Sequence, residues 1–277
     1  MALLGPMVVV AENPAAEAVE MLGKAGAFPI IEASWDEAGA AIDEIKPCAV
    51  LLADPGPAPD HAVEALRGRI EAAAPVMPVL ARLGPEGTAQ LPQALAVSAL
   101  DPMPRLIDRL GAALRIRALH AAVLRRSTES ATDPVFALPP QDGLDHATVI
   151  CVGRGGSYPA LAVAIGERVG LIGALSIETA MRYLKSRDID GLVIGDGFGP
   201  RVVEGLLAAL AEDGRFRDLP IGILGSRGAN EDRLPNLVRV EDNAQRLIER
   251  LLPFVRLRAF EGRLRRLLKS LESGRGS

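Results

Sequence analysis

The sequence predicts two α/β domains in tandem, each a doubly wound sheet of five parallel strands, followed by a C-terminal helix. Three observations lead there. The chain repeats itself: Arg105-Leu106-Ile107-Asp108-Arg109-Leu110 returns as Arg246-Leu247-Ile248-Glu249-Arg250-Leu251, 141 positions on, with one Asp/Glu exchange. The match continues through Arg115-Ile116-Arg117-Ala118 and Arg256-Leu257-Arg258-Ala259, and upstream the offset is 142, pairing Ser34 with Ser176, Ala38 with Ala180, Asp54 with Asp196 and Pro78 with Pro220. Solenoid repeats run about 20–50 residues, so a period this long means tandem domains. Within each copy, short apolar runs alternate with amphipathic segments, the pattern of a parallel sheet covered on both faces with right-handed crossovers. Finally, 277 residues of 49% hydrophobic content are enough for two cores, and with only 3% aromatics those cores must be built from Ala, Val, Leu and Ile.

The first copy opens with Met7 to Ala11, an apolar run suited to a strand buried on both faces. Pro14 to Lys24 reads as a helix, with Asn13 at the N-cap and Pro14 at N1. Phe28 to Ala33 is a second strand. Ser34 then caps a helix from Trp35 to Ile45, with Glu37 as its capping-box partner. The third strand, Ala49 to Ala53, runs into Asp54-Pro55-Gly56-Pro57. A helix at His61 to Ala73, strands at Pro78 to Ala81 and Leu95 to Leu100, and a last helix from Arg105 to Arg126 complete the copy, while Pro85 to Pro92 carries little helix signal. The second copy repeats this order. Its strands are Thr148 to Val152, Leu171 to Ala174, Leu192 to Gly195, Ile221 to Leu224 and Leu237 to Val240. Its helices are Pro159 to Arg168, Ile177 to Ser186, Val202 to Glu212 and Arg246 onward. The organisation expected is a first domain over 1–126, a Ser-, Thr-, Asp- and Pro-rich linker over 127–146, a second domain over 147–260 and a C-terminal helix and tail over 261–277.

The net charge of −4 hides an asymmetry: from Arg246 onward there are nine Lys/Arg against three Asp/Glu, so a basic helix is attached to an acidic body. Two cysteines, Cys48 and Cys151, lie in or beside apolar runs and read as small buried hydrophobes, as expected of a reduced, cytoplasmic compartment. The three histidines do not cluster. Met1 to Val10 lacks the basic region and long apolar stretch of a signal peptide, and no apolar run approaches the length of a membrane span.

Five strands and five helices in this order, the Ala33-Ser34 to Ala38 stretch after the second strand, a third strand ending in Asp and Pro-led fourth strands resemble the receiver domain of bacterial response regulators. The tandem arrangement followed by an amphipathic helix is similar to the N-terminal half of diguanylate cyclases with two receivers, although the Gly-Gly-Asp/Glu-Glu-Phe motif of their output domain is absent from this sequence. The resemblance implies a site at the C-terminal ends of the strands. Two carboxylates after the first strand help hold Mg²⁺, an Asp ending the third strand takes the phosphoryl group, a Ser/Thr after the fourth reports it and a Lys after the fifth pairs with it. The logic is charge balance, since phosphoryl transfer to a carboxylate needs a hard cation and a further positive charge.

Measured against that pattern, both copies are degenerate. In the first, the acidic pair becomes Ala11-Glu12, the acceptor position falls on Ala53 or Asp54 according to the alignment, Arg82-Leu83-Gly84 supplies no hydroxyl, and Asp101-Pro102 stands in place of Lys-Pro. In the second, Gly153-Arg154 replaces the acidic pair, Asp196 is placed as acceptor with Pro200 four residues on, Ser226 falls one position late for the switch and Glu241 occupies the Lys position. Arg154 is expected to salt-bridge Asp196, mimicking an occupied state. No cofactor is expected, and Mg²⁺ only if Asp196 is phosphorylated.

Two further signals compete. Gly153-Arg154-Gly155-Gly156 follows a strand and precedes a helix, as a dinucleotide fingerprint would, but Tyr158 stands where the third glycine belongs and Glu178 falls inside a helix rather than at the ribose position. Leu257, Phe260, Leu264, Leu267 and Leu271 recur at 3-4 spacing, the a/d pattern of a two-heptad seam. The arginines between them lack the aromatic platforms or helix-turn-helix of a nucleic-acid binder. The sequence therefore reads as a non-catalytic, two-pseudo-receiver scaffold that dimerises through this seam and meets a protein partner or output domain through its last helix, with neither membrane nor nucleic acid as partner. The alternatives are a phosphoacceptor regulator working through Asp196 and a nucleotide-binding module using Gly153 to Gly156.

Overall fold

The computed structural model describes residues 5–54, 58–84, 87, 89–99, 101, 103–129, 143–154, 156–225 and 233–273, with the backbone alone for Asp54, Met103 and Glu129. The chain divides into two compact units, one of Met1–Gln141 with Glu261–Ser277 and one of Asp142–Phe260.

The first unit runs β1 (Gly5–Ala11), α1 (Ala16–Lys24), β2 (Ala27–Ala33), α2 (Trp35–Ile45), β3 (Ala49–Asp54), α3 (Asp60–Ala72), β4 (Val79–Leu83), β5 (Leu95–Ser98) and α4 (Met103–Glu129). Its five strands are all parallel, in the order β2-β1-β3-β4-β5. The second unit runs β6 (Thr148–Val152), α5 (Ser157–Ile165), β7 (Gly170–Ala174), α6 (Ile177–Ser186), β8 (Gly191–Ile194), α7 (Pro200–Glu212), β9 (Ile221–Leu224), β10 (Leu237–Val240) and the start of α8 (Ala244–Ser273). Its strands are again all parallel, in the order β7-β6-β8-β9-β10. Each unit is thus a flavodoxin-like α/β sheet in which the first and third strands meet at the switch point where such folds place their functional groups.

The internal repeat is visible in the backbone hydrogen bonds. The Cys48 N–H donates to Pro6 O and the Asp190 N–H to Thr148 O; the Val50 N–H donates to Pro78 O and the Leu192 N–H to Pro220 O. Central strands are buried along their length, as Val8 to Val10 and Val50 to Leu52 are in one unit and Val149 to Val152 and Leu192 to Ile194 are in the other. Aliphatic residues, mostly Leu and Ile, fill the second core around the buried Phe216.

Helix ends follow the caps only in part. Ser34 opens α2 and its N–H donates to the Glu37 carboxylate at 3.1 Å; Ser176, its counterpart, opens α6 and accepts from the Thr179 N–H at 3.2 Å. Asn13 and Pro14, however, do not begin α1. The Ala15 N–H is taken by the Glu32 carboxylate at 3.1 Å and the helix starts after it. α5 likewise begins at Ser157, not Pro159, and stops at Ile165, because Gly166 takes a positive φ and the Arg168 side chain donates to the carbonyls of Ala164 and Ile165. α4 passes Arg126 and reaches Glu129, three residues into the expected linker. No helix is found between β4 and β5 among the described residues.

The largest correction concerns the end of the chain. A proline inside a helix usually bends or ends it, and Pro253 stands in the last helix. Instead α8 continues through a buried Pro253 to Ser273, and residues from Glu261 onward belong to the first unit. Phe260, Leu264 and Leu271 are buried, Leu257 and Leu267 half-buried, all within a single chain. α4 buries the matching positions: His120 and Val123 correspond to Glu261 and Leu264, and all four are buried. Arg126 pairs with Glu272 inside the first unit. Phe260, Leu264 and Leu271 of the stripe read as a dimer seam are therefore already covered. Among the described residues, no helix is long and apolar enough to cross a membrane.

Candidate functional site

β6 and the central strand β8 end side by side at the C-terminal edge of the second sheet, and the two turns that follow them interlock. Asp196 lies two residues past β8. Ser157 is the first residue of α5. The Ser157 hydroxyl donates to Asp196 Oδ1 at 2.5 Å and accepts the Asp196 N–H at 3.2 Å, so one side chain fixes both the carboxylate and the backbone of the turn. The backbone laces the same turns together: the Arg154 N–H donates to Asp196 O at 3.2 Å, and the Gly195 N–H donates to Val152 O at 2.8 Å.

Three glycines make this contact possible. A Cβ at Gly195 would lie 2.2 Å from Ser157 Oγ, and one at Gly153 would lie 3.2 Å from it. Gly197 has φ +87°, which L side chains rarely adopt, and a Cβ there would lie 2.8 Å from the Arg154 Cβ. Beneath the turn, burial and then the neighbouring Asp196 carboxylate push the Cys151 thiol up to about 12, so it is protonated and inert at neutral pH.

Arg154 does not bridge Asp196, contrary to the expectation. Its Nε donates to Leu175 O at 3.2 Å and its guanidinium sits 5.4 Å from the centre of the Phe198 ring. The stacked, carbonyl-bound position draws the cation to the side of the turn, and the Ser157 hydroxyl takes the place given to it. Glu178 is held below the usual carboxylate range by its own backbone N–H, by the Ser176 hydroxyl and, against the opposing effect of burial, by the Arg154 guanidinium.

The remaining predicted positions scatter. Glu12 is exposed just past β1. Asp54 closes β3 with its backbone opposite Ala11; Val10 pairs with Leu52 as Val152 pairs with Ile194, which equates Asp54, not Ala53, with Asp196. The Asp54 side chain, Gly155 and Ser226 lie outside the described residues. Glu241 is exposed beyond β10. Asp101, at the family's lysine position, faces Arg105 at 3.4 Å and Arg109 at 3.8 Å. Arg109 also donates to Ala96 O at 2.5 Å, and burial, with Arg105 next, lowers it to about 9, still charged at neutral pH. The inverted charge is thus matched by the first two arginines of the repeated motif.

A divalent cation of the magnesium type needs several oxygen ligands, at least one or two of them carboxylates. The turn around Asp196 offers Gly153 and Arg154 where acids would stand, and one Asp196 oxygen is engaged by a hydroxyl donor. These residues do not fit the cation. Ser157 escaped the sequence reading because its bond to Asp196 spans 39 residues and belongs to no local motif. The available signal was the comparison of the copies: Gly153 and Gly195 correspond to Ala11 and Ala53, and Ser157 corresponds to Ala15 counted from the strand or Ala16 counted from the helix.

No family model matches the chain, and no curated protein does. Solved structures similar to it include a Salmonella typhimurium LT2 protein assigned to sugar binding, 15% identical over 92% of this chain and 88% of that one, with a TM-score of 0.28. NtrX from Brucella abortus in complex with ATP is 14% identical over 87% of this chain and 69% of its own, with a TM-score of 0.35. An NAD-complexed D-isomer specific 2-hydroxyacid dehydrogenase from Lactobacillus delbrueckii ssp. bulgaricus is 14% identical over 97% of both chains, with a TM-score of 0.22. Likenesses this distant carry no functional argument.

Proposed function

We propose that the protein is a non-catalytic signal-transduction protein of the response-regulator type, in which two receiver-like units serve as a protein–protein interaction scaffold. The observation that carries the reading is the turn at the edge of the central strand: an acceptor-position Asp196 bound by Ser157, flanked by Gly153 and Arg154 instead of acids. Phosphoryl transfer to a carboxylate depends on a cation and a compensating positive charge, and this turn supplies neither arrangement. A protein partner is supported by the exposed apolar side chains of the second unit, Val163 and Leu175 above all. For a second copy of the chain to pair through Leu257 to Leu271, Phe260, Leu264 and Leu271 would first have to leave their present cover.

The test is thermal melting of the full chain with Mg²⁺ and beryllofluoride. The midpoint should stay where it is. A ligand at about 100 times its dissociation constant would add about 2.7 kcal/mol. An upward shift abolished by Asp196→Asn would overturn the proposal in favour of the phosphoacceptor reading, which the exposure of Asp196 favours. The nucleotide reading has less support, since the Tyr158 ring lies over Gly173, where a Cβ would come 2.9 Å from it.

A further inference from the structure

We infer that Ser157 is a latch, a hydroxyl that, together with the two glycines that admit it, holds the Asp196 turn in one closed state. The inference rests on reading the second unit as a receiver-like domain without phosphoryl chemistry, and it turns the loss of that chemistry from erosion into replacement. Among the positions where this turn differs from its counterpart in the first unit, three belong to one geometry. Alanine becomes serine at position 157, and the two alanines whose Cβ atoms would crowd the new hydroxyl become Gly153 and Gly195. Gly153 and Gly195 are the two positions whose Cβ would face Oγ.

The hydroxyl is well suited to the task. It is attached to a residue only 7% exposed, it donates to the carboxylate at 2.5 Å, and it accepts the N–H of the same residue at 3.2 Å. Each hydrogen bond takes up one capacity of the hydroxyl. A bound cation would respond to its own concentration. A side-chain hydroxyl is always present, so the turn from Gly195 to Gly199 is presented in the same form under all conditions. Ser157 is accordingly a positioning residue: it acts through Asp196 and the backbone beside it.

Two measurements on the full chain test this. In Ser157→Ala, amide hydrogen exchange over residues 195–199 should quicken by about tenfold or more, the change expected when bonds together worth about 1.4 kcal/mol are lost, while the strands keep their protection. Unchanged exchange there would overturn the latch. The second measurement asks whether the glycine and the hydroxyl are coupled. Gly195→Ala should lower the melting midpoint in the wild-type background, because its Cβ meets Oγ at 2.2 Å. Adding Ser157→Ala, which restores the residues of the first unit, should raise the midpoint again. Additive losses would mean that position 195 and the hydroxyl do not meet in the folded chain, and would sink the proposal. A wild-type response to beryllofluoride would overturn the functional reading and leave both of these outcomes standing, so the two failures are distinguishable.

Discussion

His120 accepts the Val76 N–H on Nδ1 at 3.0 Å and is buried on α4. Burial first, and then the nearby Arg117 guanidinium, lower its pKa below the ordinary 6.5. The unfolded chain therefore binds a proton more readily than the folded one. The contribution to stability is complete above about pH 6.5 and falls as the pH drops from there towards the lowered folded value, with a slope of at most about 1.4 kcal/mol per pH unit. Denaturant unfolding at a series of pH values should show this fall in the wild type and a flatter profile in His120→Gln, where an amide oxygen keeps the acceptor without titrating. Parallel profiles would mean that other groups set the acid sensitivity. At the same scale, the residues readable from sequence were those tied to a local pattern, such as Ser34 with Glu37. Ser157 and Arg154 were not, because their partners Asp196 and Leu175 come from other strands and only the folded sheet edge brings them together.

Among the elements, the strands were legible and the helix ends less so. Thr148–Val152 and Ile221–Leu224 end where their apolar runs end, since a central parallel strand is buried on both faces and its pattern has sharp limits. α1 begins away from its sequence signal because the Glu32 carboxylate takes the Ala15 N–H that a local cap would have taken, and α5 begins at Ser157, whose hydroxyl is held by the Asp196 turn. Helix-to-sheet packing depends on residues that carry no signal at all. Gly191 in β8 is one: a Cβ there would lie 2.9 Å from Val255 Cγ2 on α8 and 3.3 Å from Val149 Cγ2 on β6. Gly191→Val overfills that contact and should cost about 1–3 kcal/mol in chemical denaturation. A cost near zero would show that α8 is free to back away from the sheet.

For the molecule as a whole, the repeat announced two domains, and two are found, but the boundary of the first could not be read from the sequence. Leu264 and Leu271 have the spacing of a seam between chains, and spacing alone does not say which surface fills it. The fold answers by burying both, Leu264 to 0% exposure, with the segment assigned to the first unit. Leu264→Ala should therefore destabilise by about 2–5 kcal/mol, as core truncations do. The loss should be the same at low and high protein concentration, as judged by melting across a dilution series. A midpoint that rises with concentration in the wild type, and loses that dependence in the variant, would restore the interchain seam.

A chain that begins in one unit, builds a second and returns to finish the first has the connectivity of an insertion. The first unit is assembled from two separate stretches of the chain, Met1–Gln141 and Glu261–Ser277. Its completion requires residues made after the second unit, so co-translational folding cannot proceed strictly from the N-terminus onward, and the inserted unit is free to fold first. The same connectivity makes the unit a natural case of fragment complementation. Cutting the backbone anywhere between the two units leaves two pieces that each hold part of one core, and a non-covalent assembly, rather than two separate domains, is what such a cut should leave.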